Sequence, residues 1–294
     1  MRELLEQLDA GLRSVIVDRH VSADGARKYV LRLHDGSLVE TVGIPHGEGD
    51  VPDRLTVCYS MQAGCAMGCA FCATGRQGLR RNLAADEMLW QLDVVERDFG
   101  CAAASAIAMG QGEPLANYAA LVEALGVMGD AKGFGIRSED LAVSTCGLLD
   151  GIRSLATDGV EVALVVSLHA ARQELRDRLM PGVRHYPVEQ LHSELATYGS
   201  RTGRRAVVQY LMLDGVNDGG DDFEALARFC EGLDVRVSLL QYNRVEGIPF
   251  EPSAYGKMAL WALALRQRGI EASINKPRGV DVSAACGQLA NRYA

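Results

Sequence analysis

The chain has 294 residues, of which 48% are hydrophobic and 23% charged. This composition supports a full hydrophobic core and excludes a mainly disordered chain, a collagen and a small disulfide-stabilised scaffold. The formal net charge of −8 argues against a protein that coats nucleic acid nonspecifically. Since no apolar run has the length of a membrane span or a signal peptide, we expect a cytoplasmic protein without a membrane partner.

The first 50 residues predict a short helix and a small sheet. Residues 1–12 have the leucine spacing of an amphipathic helix. Three strand-like runs follow at 14–19, 28–33 and 37–44, punctuated by Asp-Gly turns. They predict a small antiparallel β extension, and the composition of 45–53 predicts a loop.

Strands and helices alternate in the rest of the chain. The predicted strands are 54–60, 104–109, 140–145, 161–167, 206–212, 235–240 and 270–274. The predicted helices are 84–98, 117–131, 148–157, 172–179, 187–199, 219–231 and 254–268. This alternation implies a parallel sheet with right-handed crossovers. The predicted fold is therefore α/β, a partial (β/α)6 barrel with active residues at the C-terminal strand ends.

Three of the eight cysteines lie close together after the first barrel strand. Cys65, Cys69 and Cys72 form a C-x3-C-x2-C pattern, which indicates metal or redox chemistry in a cytosolic chain. Three thiolates can ligate three irons of a [4Fe–4S] cluster and leave the fourth iron open. An open iron can chelate S-adenosylmethionine, whose reductive cleavage gives a 5′-deoxyadenosyl radical. A structural zinc site is the alternative, although zinc usually takes four protein ligands in two pairs.

Further candidates lie where later strands end. In the GQGEP segment, glycines let the backbone approach a ligand, and Glu113 can accept hydrogen bonds from an ammonium group. The alternative is a simple strand-to-helix turn. The other strand-end candidates are Ser144, Ser167, Leu168, His169 and Asn243. Singly, each would more often be a capping, turn or structural residue, but together they suit binding of a ribose and a carboxylate.

The stretch CYSMQAGCAMGCAFCATGRQGLRRNL begins at Cys58 and contains the cysteine motif. With further motifs between about Glu40 and Ala290, it resembles the RlmN/Cfr family of radical S-adenosylmethionine rRNA adenine methyltransferases. The resemblance implies a radical S-adenosylmethionine core barrel at 51–294, preceded by the helix and β extension at 1–50. It also implies a short member of the family that lacks most of the N-terminal accessory domain. Only about 12 helical residues are expected before the first strand.

The resemblance also implies roles for individual residues. GQGEP is similar to the family's GMGEP segment, so Gly112 and Glu113 are expected to hold the methionyl part of the cosubstrate, with the strand-end residues completing that set. The flanks TVCYS and SAACGQLA match the family's two reactive cysteines, Cys58 and Cys286. Glu40, in LVETVGIP, matches the family's proposed general base. The remaining cysteines are interpreted as small apolar residues, and they are Cys101, Cys146 and Cys230.

The implied activity is methylation of an adenine ring carbon, with C2 expected, in 23S rRNA or tRNA. The expected route uses an S-methylcysteine on Cys286, a protein–RNA adduct and a disulfide with Cys58, at a cost of two S-adenosylmethionine molecules per turnover. A low-potential donor such as flavodoxin or ferredoxin would supply electrons. Basic residues that favour RNA are Arg76, Arg80, Arg81, Arg201, Arg204, Arg205, Lys276 and Arg278.

The sequence is also compatible with two other functions. The same chemistry can act on a small molecule or a peptide, which would fit the acidic net charge. A zinc- or cluster-containing RNA-binding module without catalysis is the third, although the presence of Glu40, Cys58 and Cys286 argues against it.

Overall fold

The computed structural model describes residues 15–47 and 52–289. Within them, ten strands form one sheet in the order β1-β2-β3-β4-β7-β8-β9-β10-β11-β12, and β5 and β6 form a separate hairpin. The strands are β1 Val15–Val21, β2 Arg27–Arg32, β3 Leu38–His46, β4 Arg54–Tyr59, β5 Gln62–Gly64, β6 Leu79–Asn82, β7 Ser105–Ala108, β8 Leu141–Thr145, β9 Ala163–Ser167, β10 Ala206–Met212, β11 Val235–Gln241 and β12 Glu271–Asn275.

Helices connect the successive parallel strands. They are α1 Ala85–Phe99, α2 Tyr118–Gly129, α3 Leu149–Thr157, α4 Gln173–Leu179, α5 Val188–Thr202, α6 Gly220–Cys230 and α7 Tyr255–Gln267. Each predicted strand and helix from residue 14 onward ends within three residues of its observed bounds. The helix predicted at 1–12 lies outside the described residues. In the described part of the chain, no helix combines the length and apolar character needed to cross a membrane.

The sheet joins an antiparallel part to a parallel part. Strands β1 to β4 pair antiparallel, and β4 begins the parallel series that runs through β7 to β12. The sheet stays open, with β1 at one edge and β12 at the other. The predicted partial barrel with an antiparallel extension is therefore confirmed. The loop expected from residue 45 begins later, because β3 continues through Pro45 to His46 in register with β4.

Apolar residues fill the space between sheet and helices. Fully buried side chains on neighbouring strands include Val57, Ala106, Val143, Leu164, Val208 and Val237. Met88, Leu92 and Val95 of α1 pack against the same core. Burying one such aliphatic side chain contributes about 1.5–3 kcal/mol relative to leaving it in water. The buried strand centres therefore fix the positions of the strand ends, where the candidate residues lie.

The hairpin of β5 and β6 encloses the cysteine loop, and the sequence did not predict it. Its strands are three and four residues long, too short for a readable alternation of apolar and polar residues. The enclosed loop is bonded to other parts of the fold. The amide of Ala70 donates to Leu179 O at 2.9 Å, and the amide of Ala73 donates to Gly287 O at 2.9 Å. These contacts hold the loop over the C-terminal edge of the parallel sheet.

Candidate active site

A cavity lies at the C-terminal edge of the parallel strands, and we call it the cluster cavity. It brings together most of the predicted cofactor-binding residues, which are Cys65, Cys69, Cys72, Gly112, Glu113, Ser144, Ser167 and His169. Two predicted members lie elsewhere. Leu168 is fully buried and does not line this cavity, and Asn243 lines the neighbouring one. Neighbouring parallel strands end at the same edge, so residues far apart in sequence meet there.

The three cysteines of the loop share this cavity wall. Burial raises the pKa of Cys65 to about 12, and burial together with the neighbouring Cys69 raises the pKa of Cys72. A bound metal reverses this preference, because thiolate is the form that ligates. Among the described residues, no three His, Cys, Asp or Glu side chains are arranged to hold one metal ion. Three loop cysteines that each ligate their own iron fit the donor set of a [4Fe–4S] cluster with one open iron.

A fourth thiol belongs to the cluster cavity. Cys146 follows β8, and its Sγ lies 3.9 Å from the Sγ of Cys69. The hydrogen bond with Cys69, together with burial, raises the pKa of Cys146. The interpretation of Cys146 as a small apolar residue missed this position. Its place directly after Ser144 and Thr145, at a strand end, was the available signal.

The GQGEP turn is shaped by protein contacts. A Cβ at Gly110 would lie 2.6 Å from the backbone of Tyr59, and one at Gly112 would lie 2.5 Å from the side chain of Gln62. Gly112 also has a φ of +101°, which side chains other than that of glycine rarely tolerate. Close packing against β4 and β5 therefore requires glycine at positions 110 and 112. Both glycines also line the cluster cavity.

Glu113 connects two strand ends. Its carboxylate accepts hydrogen bonds from the amides of Leu115 at 3.0 Å and Cys146 at 2.7 Å. Burial raises the pKa of Glu113, while these hydrogen bonds favour its ionised form. The side chain of Glu113 lines the cluster cavity, and its Oε2 lies next to the backbone of Cys146. This position suits an acceptor for an ammonium group.

His169 contacts β10, and Arg176 connects the ends of β8 and β9. His169 has a φ of +56°, and its Nδ1 accepts a hydrogen bond from the amide of Leu211 at 3.0 Å. Burial and the nearby Arg176 guanidinium lower the pKa of His169 to about 3, so the ring is neutral. The buried Arg176 donates to the carbonyls of Ser167 at 3.1 Å and Cys146 at 2.6 Å. These residues position the cavity wall.

A second cavity adjoins the first, and we call it the thiol chamber. It is lined by Val42, His46, Cys58, Met109, Asn243, Lys276, Arg278 and Cys286, among others. Cys286 and Met109 line both cavities, and Cys286 Sγ lies 3.9 Å from Met109 Sδ. Burial and the nearby Cys286 raise the pKa of Cys58. The two predicted reactive cysteines therefore share one chamber, with Cys286 facing the cluster cavity as well.

Glu40 is deeply buried, contrary to what a solvated strand residue would show. Only 1% of it is exposed, and its Oε1 lies 3.5 Å from the Nζ of Lys28. Glu40 and Val42 project to the same face of β3, because side chains two residues apart in a strand do so. Val42 lies opposite Cys58 in the register of β3 and β4. The predicted base, Glu40, therefore lies two residues along β3 from Val42, which lines the thiol chamber.

The structure separates the basic residues that the sequence grouped. Arg201 lies in the last turn of α5, and Arg204 and Arg205 lie between α5 and β10, at the N-terminal ends of the parallel strands and away from the cavities. Arg81 bridges Asp35 and Glu87 at 2.7 Å each. The basic residues that line the thiol chamber are Lys276, Arg278 and His46, of which Arg278 is paired with Asp24 at 3.0 Å and His46 has a pKa lowered by burial and the nearby arginines. Of the basic residues grouped by the sequence, Lys276 and Arg278 therefore lie beside the candidate site.

Known proteins resemble this chain closely. The model of the Radical SAM superfamily matches residues 59–230. A probable dual-specificity RNA methyltransferase RlmN of Synechococcus elongatus is 42% identical over 298 residues, covering 99% of this chain and 80% of the relative. A protein of the same name from Gloeobacter violaceus is 40% identical over 291 residues, covering 99% and 81%. The crystal structure of a radical SAM methyltransferase from Sphaerobacter thermophilus is 38% identical, with a TM-score of 0.91 over 98% of this chain and 84% of that one.

These matches agree with the site geometry. A radical S-adenosylmethionine enzyme implies a [4Fe–4S] cluster and S-adenosylmethionine, and the thiols and polar groups of the cluster cavity fit both. The match extends beyond the superfamily segment to nearly the whole chain. The protein is an enzyme, and it belongs to the RlmN family of radical S-adenosylmethionine methyltransferases.

Proposed function

We propose that the protein methylates a ring carbon of adenine, C2 in first place, within RNA, and that Cys286 carries the methyl group as S-methylcysteine. One observation carries the proposal: Cys286 lies on the wall shared by the cluster cavity and the thiol chamber. A methyl group on its sulfur would be accessible from the radical source on one side. An adenine and the second thiol, Cys58, would be accessible on the other.

The cosubstrate is proposed to bind in the cluster cavity. Cys65, Cys69 and Cys72 would hold a [4Fe–4S] cluster, and Glu113 would accept hydrogen bonds from the ammonium group of S-adenosylmethionine. When bound, the cluster and the cosubstrate supply the radical that removes a hydrogen atom from the methylated Cys286. Two cosubstrate molecules are used per turnover, one as methyl donor and one as radical source. A low-potential protein such as flavodoxin or ferredoxin would supply the electron.

The remaining steps belong to side chains of this chain. The Cys286 thiolate first takes a methyl group from S-adenosylmethionine. After the resulting methylene radical adds to the adenine, Glu40 accepts the proton from the substituted carbon, and the unpaired electron of the adduct would return to the [4Fe–4S] cluster, which leaves a closed-shell thioether between Cys286 and the RNA. The Cys58 thiolate then attacks the Cys286 sulfur, the sulfur–carbon bond breaks, and the released carbon takes a proton to become a methyl group. The Cys58–Cys286 disulfide must be reduced before the next turnover.

RNA, either 23S rRNA or tRNA, is the proposed substrate for two reasons. The relatives at about 40% identity are named dual-specificity RNA methyltransferases. The thiol chamber is lined by Lys276, which suits a phosphate beside an inserted base, and by Arg278, which is paired with Asp24. The chamber gives the adenine an apolar wall and the backbone a cationic surface.

The test is the variant Cys58→Ala, produced in cells and analysed by mass spectrometry after nuclease treatment. We expect an RNA fragment bound covalently to the Cys286 peptide, since addition proceeds but release fails. Cys230→Ala is the matched control, because Cys230 is buried in the core away from both cavities and should leave no adduct. A methyl group on Cys286 without RNA would favour a small-molecule or peptide substrate. An unmodified Cys286 would contradict the methyl relay.

A further inference from the structure

Lys28 is a buried cation that the proposed reaction does not yet use. It lies on β2 and is 5% exposed. Its Nζ lies 3.5 Å from Glu40 Oε1 and donates to the carbonyl of Ser283 at 3.4 Å. Lysine is seldom buried unless it is paired with an opposite charge. The placement of this side chain therefore depends on what it contacts.

The strand register puts Lys28 beside the reacting groups. Lys28 lies opposite Val42 in the pairing of β2 with β3, and Val42 lies opposite Cys58 in the pairing of β3 with β4. Residues directly opposite each other project to the same face of a sheet. Lys28, Val42 and Cys58 therefore form one row across three strands. Glu40 occupies the adjacent row on the same face, diagonal to Lys28.

The ion pair between Lys28 and Glu40 stabilises the negative charge of the Glu40 carboxylate. Moving a carboxylate out of water costs several kcal/mol unless an opposite charge compensates. A buried carboxylate that loses its cation takes up a proton. A protonated Glu40 could not accept the proton that leaves the substituted adenine carbon. The ammonium group of Lys28 therefore favours the form of Glu40 that the proposed reaction needs.

Lys28 also contacts the segment that carries Cys286. Ser283 lies three residues before Cys286 and has a φ of +53°, so the chain turns sharply there. Ala284 and Leu289 of this segment pack with Val42. One side chain thus contacts both the base and the backbone of the methyl-carrying segment.

We propose that Lys28 is a positioning residue that keeps Glu40 ionised for removal of the adenine proton. This inference rests on the proposed function, specifically on Glu40 as the base. The bond that breaks is carbon–hydrogen on the substituted ring carbon, and the proton moves to a carboxylate oxygen of Glu40. The electron pair of that bond stays with the ring, which becomes aromatic again as the unpaired electron of the adduct would return to the cluster. Lys28 acts only through its charge and its contacts.

The experiment compares Lys28→Gln with wild type in the full-length, cluster-loaded enzyme supplied with RNA. Glutamine retains hydrogen-bonding groups toward Glu40 and Ser283 but has no charge. We expect Cys286 methylation at the wild-type level by peptide mass spectrometry. Methylated RNA should form about 100-fold more slowly, the scale of a general-base contribution. The covalent protein–RNA adduct should accumulate on a denaturing gel, because the step that needs the base is slow.

Two further variants separate charge from folding. Lys28→Arg keeps the charge and should restore most of the product formation. Arg32→Met removes an exposed cation from the same strand and should behave as wild type in every readout. If Lys28→Gln is poorly folded, the comparison of Lys28→Arg with Lys28→Met at equal thermal stability tests the same difference.

Each outcome decides between hypotheses. Wild-type product formation in Lys28→Gln would overturn the role of Lys28. Loss of Cys286 methylation in that variant would also overturn it, since the defect would then precede the proton transfer. If Cys58→Ala forms no adduct in the same assay, the proposed relay itself fails. The two failures are therefore distinguishable.

Discussion

Cys146 shows how a residue acquires its role from contacts that are distant in sequence. Its thiol lies 3.9 Å from that of Cys69, although the two residues are 77 positions apart. Its amide donates to Glu113, and its carbonyl accepts from Arg176. The backbone of Cys146 therefore belongs to the framework of the cluster cavity. Its sulfur is an additional group beside the three cysteines of the loop.

Replacing Cys146 with alanine should leave cluster assembly intact. Three thiolates from one loop suffice for a cluster with one open iron, so the fourth thiol is not required as a ligand. We expect the iron content and visible absorbance of reconstituted Cys146→Ala to equal those of wild type, whereas Cys69→Ala should lose both. A deficit of iron in Cys146→Ala would instead identify it as a ligand.

At the scale of elements, the turn between β1 and β2 holds the segment that carries Cys286. Asp24 Oδ2 accepts hydrogen bonds from the amide of Gly279 at 2.9 Å and from Arg278 Nε at 3.0 Å. Asp281 accepts one from the amide of Ala23 at 2.9 Å. The antiparallel extension is therefore more than an edge of the sheet, because it fixes the approach of the Cys286 segment to the chamber.

Substituting Asp24 with alanine should loosen this segment selectively. Loss of the hydrogen bonds is expected to accelerate amide exchange within 279–289 by about 5–10-fold, equivalent to about 1 kcal/mol. Hydrogen–deuterium exchange with mass spectrometry measures this change. Glu123→Ala, at an exposed position of α2, is the control and should leave exchange in 279–289 unchanged.

The stabilisation of the Cys286 segment by Asp24 should depend on pH. Although burial opposes ionisation, hydrogen bonds from the amides of Gly279 and Ala26 lower the pKa of Asp24 below its ordinary value. Because the pKa is lower in the folded state, the stabilisation is present at neutral pH and is lost as the pH falls through that lowered value. Exchange in 279–289 should therefore differ between wild type and Asp24→Ala at neutral pH and converge in acid. A difference that persists after acidification would contradict this assignment.

For the whole molecule, the distribution of charge matters more than its sum. The net charge is −8, yet the thiol chamber is lined by Lys276 and Arg278. Arg205, at the N-terminal ends of the parallel strands, pairs with Asp234 at 2.6 Å and Glu271 at 2.8 Å. On a protein of acidic net charge, a cationic side chain beside a cavity attracts a polyanion to that cavity, whereas an arginine paired with carboxylates attracts it less.

Charge removal at the two ends of the parallel strands should therefore have different effects on RNA binding. Lys276→Gln is expected to weaken binding of a labelled RNA hairpin and to reduce the slope of log affinity against log salt by about 1, as for one phosphate contact. Arg201→Gln, which replaces an exposed arginine away from the cavities, should change neither. Fluorescence anisotropy across a salt series measures both quantities. Equal slopes in wild type and Lys276→Gln would exclude a phosphate contact at this residue.

The sequence by itself determined the features that depend on neighbouring residues. Apolar periodicity and turn residues located the strands and helices from residue 14 onward, because these elements are encoded by local side-chain patterns. The spacing of Cys65, Cys69 and Cys72 indicated a cluster within one loop. The resemblance of several separate motifs identified the family, and the likeness over 99% of the chain confirmed it.

Tertiary structure decided the features that depend on residues brought together across the sheet. Cys146 meets Cys69, Lys28 meets Glu40, and Cys286 lines two cavities because strand ends and the C-terminal segment converge at one edge. The short hairpin around the cysteine loop likewise depends on packing rather than on its own few residues. Sequence distance carries no information on such contacts, since burial and register set them. The environment of each proposed site residue is therefore a property of the folded chain.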